Sequence, residues 1–335
     1  MKFKLHIVAC TVVLFTLTSF QISEEVVVSL PGDEVYRARM GEAGSMALFP
    51  LTEPDTDPVI IPLKRAGRLF LFDATVDGES GNIIFDSGSK SVVLNSTYFR
   101  NRSKSVKVNS SGITGDVDQV SEITVSSLAF QGLEYKNLTV HLAGLGHIET
   151  KKGVKIIGLA GFNLFRKHET VIDPVNNELR LYRLDADGNR ITKTPDFIPD
   201  EQQKIGGSGN ILFLKGTIGD KQMNFCFDTA AETNVISSHS GKQVLNTLTI
   251  TRRTTLKGAG QSTAEVLFGK MNDFSIGNHK ITGMETVITN LSALTETYDT
   301  HIDGILGGSF LEHGTVCVNF VKSRIGISFT KENQK

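Results

Sequence analysis

The sequence predicts an all-β molecule of two lobes built by duplication of one unit, and three observations carry that prediction. Phe85-Asp86-Ser87-Gly88 and Phe227-Asp228-Thr229-Ala230 each set an aspartate at the end of an apolar run, 142 residues apart. Their flanks match without a gap: Thr75-Val76 with Thr217-Ile218, Ile83-Ile84-Phe85 with Phe225-Cys226-Phe227, Val93-Leu94 with Val235-Ile236. A match at fixed offset marks one structural unit present twice. Short Val/Ile/Thr-rich runs among 32 glycines, with no tryptophan, read as strands joined by tight turns.

From the N-terminus, Lys2 and Lys4 precede an apolar stretch from Ile7 to Phe20, so residues 1–23 read as a secretory signal peptide. The stretch is shorter than the roughly 20 apolar residues that a membrane span needs. Ile7-Val8-Ala9-Cys10 weakly resembles a lipoprotein box, but most of the apolar run follows Cys10, and lipidation is not expected. Residues 24–64 read as a lead-in with an edge strand, belonging to neither copy. Residues 65–184 form the first lobe, the polar segment 185–209 a linker, and residues 210–335 the second lobe.

The repeat continues beyond the aspartates. Gly158-Leu159-Ala160-Gly161 matches Gly304-Ile305-Leu306-Gly307 at an offset of 146, as Val171-Ile172-Asp173 matches Cys317-Val318-Asn319. Each copy reads as a hairpin ending in the aspartate loop, two or three strands, an apolar-apolar-Gly turn, one short helix and a final hairpin. Between these lie glycine-bearing turns at Gly112 to Gly115 and at Gly258 to Gly260. Either is an ordinary hairpin turn or, given a cleft, a flap over it.

Lys plus Arg number 35 against 36 Asp plus Glu, so no global field recruits nucleic acid or an anionic membrane. No later run reaches spanning length, and the mature chain is expected to be exported, periplasmic or secreted, with a bacterial envelope favoured. Without Cys10 only Cys226 and Cys317 remain, both in apolar runs and read as buried thiols. The sequons at Asn95, Asn101, Asn109, Asn137 and Asn290 are read as incidental.

A lone Asp at a strand end usually caps its own turn. Here the same triplet stands at the same place in both copies. Two buried carboxyls brought together by the duplication cannot both ionise cheaply, so they share a proton, one acting as base and the other as acid. Such a pair can deprotonate a water as it attacks a carbonyl and stabilise the oxyanion that forms. The hydroxyls of Ser87 and Thr229 are placed to reach across the interface and fix the two loops.

The Asp-Ser-Gly and Asp-Thr-Ala triplets, each followed by an apolar-apolar-Gly element, resemble the pepsin/retropepsin clan of aspartic proteases, in the layout of single-chain bacterial proteins with two retroviral-sized lobes. The resemblance covers about residues 65–330. It implies a two-lobed pepsin-like fold, catalytic Asp86 and Asp228, and an interlobe cleft. Ser87, Gly88, Ser89, Thr229, Ala230, Gly112, Gly115 and Gly258 would support the carboxyls or the substrate. The chain departs from the family pattern in three places. Ala230 stands where glycine is usual, Ala231 stands opposite Ser89, and neither flap carries a tyrosine. In the family the glycine at position 230 admits backbone angles that a Cβ disfavours.

No Gly-x-Ser-x-Gly elbow and no His-Glu-x-x-His pair appears. His141 and His147 lack a third ligand nearby and read as cleft or surface histidines; His301-Ile302-Asp303 reads as a polar loop. The sequence thus predicts a monomeric, exported aspartic endopeptidase acting on peptides without metal or cofactor. The alternatives are a peptide-binding relative that has lost turnover and a structural protein that reuses the fold.

Overall fold

The computed structural model describes residues 25–28, 36–39, 48, 50–100, 106–112, 115–192, 197–206, 212–257, 263–298 and 300–330. The signal-peptide reading therefore lies outside the described residues, as does Gly258. The chain is all-β and two-lobed, as the duplicated pattern predicts. An eight-stranded sheet belongs to the first copy, a nine-stranded sheet to the second, and a six-stranded sheet takes strands from both.

In the first sheet Glu79–Asp86 lies between its hairpin partner Leu69–Val76 and the parallel strand Ile156–Gly161. Ile156–Gly161 also runs antiparallel to Val93–Asn95, and Leu69–Val76 pairs with Gly115–Phe130. The second copy repeats this core. Lys221–Phe227 pairs with Phe213–Ile218 and runs parallel to Gly304–Leu306, which in turn pairs with Asn234–Ser237. Each aspartate thus leaves the C-terminal end of a central strand buried on both sides.

The apolar-apolar-Gly turns owe their glycines to close backbone approach. A Cβ on Gly161 would stand 2.4 Å from the Ser91 carbonyl oxygen, and one on Gly307 2.3 Å from that of Ala231. Phe162 N–H then donates to Ser89 O (2.9 Å) and Gly308 N–H to Ala231 O (2.7 Å), tying each turn beneath its aspartate loop. A 3-10 turn, Phe162–Leu164, follows in the first copy and a short helix, Gly308–Leu311, in the second. Beyond this one expected helical segment per copy, Ser96–Phe99, Gly146–Lys152, Lys242–Leu245 and Ser292–Tyr298 add four more short helices.

The shared sheet runs in the order Glu201–Lys204, Arg324–Phe329, Gly314–Asn319, His168–Asp173, Glu178–Arg183, Val59–Pro62. Its central pair is antiparallel and joins the copies, with Thr170 opposite Val318. Its two edge strands, Val59–Pro62 and Glu201–Lys204, stand 142 residues apart. The repeat therefore reaches further than sequence comparison carries it. The end of the lead-in belongs to the first copy, and the segment read as linker contains the matching strand of the second. Along Val59–Pro62 burial alternates, Val59 and Ile61 inward, Ile60 and Pro62 outward, the period of a half-buried strand.

One continuous apolar core passes through both copies. Phe72, Phe85, Phe130 and Phe165 cluster in the first, Phe225, Phe227, Phe274 and Phe310 in the second. Cys226 and Cys317 are both buried and free.

Substitution of alanine for Gly161 or Gly307 is predicted to cost about 2–3 kcal/mol, because backbone oxygens cannot yield as a side-chain end can. Gly144→Ala and Gly241→Ala, where nothing lies within 4 Å of the added Cβ, should change stability by under about 0.5 kcal/mol. Urea unfolding of the four variants makes the comparison.

Candidate active site

The two aspartate loops face each other across the junction of the copies and exchange hydrogen bonds. Ser87 N–H donates to the Thr229 hydroxyl (2.9 Å), and Thr229 N–H donates to the Ser87 hydroxyl (3.0 Å). Each hydroxyl then donates onward across the junction: Thr229 to the Phe85 carbonyl (2.7 Å), Ser87 to that of Phe227 (3.1 Å). Four bonds close a ring within an apolar core, where Ser87 is 1% and Thr229 0% exposed. Buried polar groups persist only when satisfied, so each loop needs the other.

The same duplication governs the carboxyls. Gly88 and Ser89 N–H groups donate to Oδ1 of Asp86 at 2.9 and 3.1 Å; Ala230 and Ala231 N–H groups donate to Oδ1 of Asp228 at 2.8 and 3.2 Å. Both aspartates are buried, Asp228 at 1% and Asp86 at 6% exposure. The two carboxyls lie close enough to shift one another's proton affinity.

Burial first, then the charge of Asp228, holds the Asp86 carboxyl well above the usual carboxylate range against its two backbone bonds. Burial also pushes Asp228 up to about 6, opposed by the Ala230 and Ala231 N–H groups and by the hydrogen bond from Asp86. Both carboxyls are raised, so the pair holds one proton in common over the range between its two titrations. Magnitudes explain why only one ionises. Each backbone bond to a carboxylate contributes about 1.5–3 kcal/mol. A second negative charge about 4 Å away costs about 4 kcal/mol at an effective dielectric of 20, on top of the burial penalty.

Ala230 follows a different logic from the one its sequence position suggests. Its backbone does not adopt positive φ, so glycine's conformational freedom is not required there. Its side chain is 1% exposed and packs with Ala66, Leu69, Leu71, Ile84 and Val93 of the first copy. The methyl belongs to the interface core. The Ser89 hydroxyl, in turn, donates to Ser91 O (3.1 Å) and not to a carboxylate, so Ala231 removes no bond of that kind from Asp228.

Gly112 stands opposite Gly115 at the closed end of the hairpin formed by Val106–Gly112 and Gly115–Phe130, and the second-copy helix Ser292–Tyr298 lies against Val106–Gly112. Leu248–Lys257 and Thr263–Met271 form the matching hairpin of the second copy, with Gly258 between them. The histidines lie apart from this site. His141 is buried in the strand Leu133–Ala143, where burial holds it down to about 4. His147 belongs to the helix Gly146–Lys152. His301 Nε2 lies 3.0 Å from Asp303, whose other oxygen accepts Asn224 N–H (2.9 Å), which makes this pair a strut. Among the described residues no group of three His, Cys, Asp or Glu side chains could hold a metal, and no helix is long and apolar enough to cross a membrane.

Sequence reasoning missed three contributors, Glu232, Arg68 and Lys152. Glu232, four residues after Asp228, accepts Arg68 N–H (3.2 Å) and the Lys152 ammonium (2.5 Å), locking the second loop to the first copy. No local pattern announces a pair separated by 80 residues.

Residues 214–310 match the family model described as Aspartyl protease. The matched stretch runs from the strand Phe213–Ile218 through Asp228 and the Ile305-Leu306-Gly307 turn into the helix Gly308–Leu311. No curated protein matches the chain. The match supports an aspartic protease family for this chain.

Proposed function

We propose that the chain is an exported aspartic endopeptidase in which Asp86 and Asp228 activate one water against a peptide carbonyl. The observation that carries the reading is the pair of buried carboxyls, each held by two backbone N–H groups where the two loops meet. Asp228, the lower of the two, is the base that takes a proton from water. Asp86 carries the shared proton and donates it to the carbonyl oxygen as charge develops there. The tetrahedral intermediate then collapses: Asp228 gives the amine nitrogen the proton it took from water as the C–N bond breaks, and a hydroxyl of the diol returns its proton to Asp86 as the carboxyl product forms. The substrate is a peptide in extended form, lying beneath the hairpin that ends at Gly112 and Gly115. The chemistry uses neither metal nor cofactor, and the protein works as an exported monomer.

The test is a peptide-library digest with and without a statine peptide. Cleavage blocked by that compound supports the endopeptidase; binding without cleavage would select a peptide-binding relative instead. Asp86→Asn and Asp228→Asn should each lower kcat by at least about 10³-fold, and the double variant should be little worse, since the two act as a unit. A single variant that kept most of its activity would sink the dyad assignment.

The titration of the pair sets the pH dependence. Turnover needs one proton on the dyad, so it should rise between pH 4 and about 6, as Asp228 ionises, and fall at higher pH when Asp86 loses its proton. The stability sign is the reverse. Both folded pKa values are raised, so the contribution is full below the unfolded value of about 4 and is lost as pH rises through about 6. Urea midpoints of the wild type should fall from pH 4.5 to 8, and those of Asp86→Asn should fall less.

Ala230→Gly removes a buried methyl and adds backbone freedom to the unfolded chain. It should destabilise by about 1–2 kcal/mol and bring no gain in kcat/KM. A several-fold gain would mean that the methyl obstructs the substrate and not merely fills the interface.

A further inference from the structure

Residues 51–58, towards the end of the lead-in, cross the first copy as a strap in which no residue is itself buried. Leu51 is 67% exposed, so apolar contact does little to hold the strap. Polar bonds hold it instead. Leu51 N–H donates to Glu134 O (2.6 Å) and Glu134 N–H to Thr52 O (3.1 Å), tying one end to the strand Leu133–Ala143. At the other end Arg183 N–H donates to Oδ1 of Asp57 (3.0 Å) and Arg183 Nη2 to the Asp55 carbonyl (3.0 Å). A segment with so few buried apolar contacts opens locally at a lower free energy than the sheet beneath it.

Between the two ends lies a contact that can titrate. His168, first residue of the strand His168–Asp173, is 1% exposed, and its Nε2 lies 3.2 Å from a carboxylate oxygen of Glu53. Its Nδ1 is buried and has no hydrogen-bond partner. A neutral imidazole has one N–H, which Glu53 can accept; an imidazolium has two, and the closed strap leaves the second without an acceptor. The charged groups around the ring oppose one another. Glu53 and Asp57 of the strap favour the proton, while Arg183, opposite His168 in the antiparallel ladder, disfavours it. Tyr135, which senses Glu53 from the strand Leu133–Ala143, is uncharged and donates its hydroxyl to Leu164 O (2.7 Å). Burial outweighs the two carboxylates and holds His168 below its ordinary pKa.

We propose that the contact between Glu53 and His168 is a pH-sensitive latch, which holds residues 51–58 against the first copy near neutral pH and releases them in acid. Opening the strap puts the ring in water, where it takes a proton more readily than in the closed form. Its contribution to closure is therefore full above the ordinary histidine value of about 6.5 and is lost as pH falls below it. The strand Val59–Pro62 keeps its pairing with Glu178–Arg183, so release frees the chain before Val59 and leaves the shared sheet whole. The latch stands apart from the aspartate loops and does not depend on the endopeptidase reading.

Amide hydrogen exchange of the full chain tests this, with rates corrected for the intrinsic pH dependence of exchange. Protection of the Leu51 and Glu134 amides should fall about three- to tenfold between pH 7.5 and 5.5, the upper figure being the limit for one proton. Protection of Thr170, in the central pair of the shared sheet, should hold. His168→Gln keeps a donor towards Glu53 and cannot be charged, so its strap should show no fall over this range. Glu53→Gln should lower protection of Leu51 and Glu134 about fivefold at pH 7.5 and leave Thr170 unchanged. Glu53 lies on the strap and is only half-buried, so this variant reads the latch even where His168→Gln fails to fold. Wild-type protection that is unchanged or greater at pH 5.5 overturns the proposal, as does a fall of equal size in His168→Gln. A fall shared equally by Thr170 would mark global unfolding and overturn it too, and so would unaltered protection in Glu53→Gln.

Discussion

Two carboxyls and two hydroxyls sit where the copies meet, and the exchange between Ser87 and Thr229 is the constraint on which the rest depends. Each loop supplies the other with an acceptor for a backbone N–H that has no partner in its own copy. Unmade, each such group would cost about 1–3 kcal/mol in an interior this dry. The two lobes are therefore not independent units laid side by side. The six-stranded sheet carries the same dependence to the far side of the molecule, where His168–Asp173 and Gly314–Asn319 complete one another's ladder.

Pseudo-symmetry fixes the geometry of this centre, and departures from it set the two carboxyls apart. Backbone bonds to the two carboxyls are alike within about 0.1 Å. What differs is their surroundings: Asp86 is slightly more exposed, and the charge of Asp228 adds to burial in holding its proton affinity up. Further out the divergence grows. Glu232 is tied down by Arg68 and Lys152, whereas its counterpart Lys90 senses a second cation. A duplicated chain can mutate each half separately, and here that freedom was used outside the ring of hydrogen bonds, not within it.

What the sequence made legible follows from which features depend on side-chain identity. The aspartate triplets and the apolar-apolar-Gly turns were visible because only certain residues fit there; at Gly161 and Gly307 even a methyl meets backbone oxygen. The edge strands Val59–Pro62 and Glu201–Lys204 were invisible as repeats. They share no residue type, and their equivalence lies in backbone pairing alone. Ala230 misled for a related reason. Its sequence position suggests a backbone requirement, but its side chain belongs to an apolar cluster with Leu69, Leu71 and Ile84 that only the assembled interface creates.

The interface also explains how a fold tolerates two acids in its core. Burying Asp86 and Asp228 is unfavourable for the charged forms, and their backbone bonds offset only part of that penalty. The remainder is carried by the apolar surface that the same loops bring together, since Phe85 and Phe227 immediately precede the aspartates and both belong to the common core. Full burial of a phenylalanine contributes about 1.5–3 kcal/mol, comparable with the penalty of one displaced carboxyl pKa. The apolar run before each aspartate is thus part of the site. It stabilises the position in which a carboxyl is held with a raised proton affinity, and a shorter or more polar run would let the loop relax towards water and the acids towards ordinary titration.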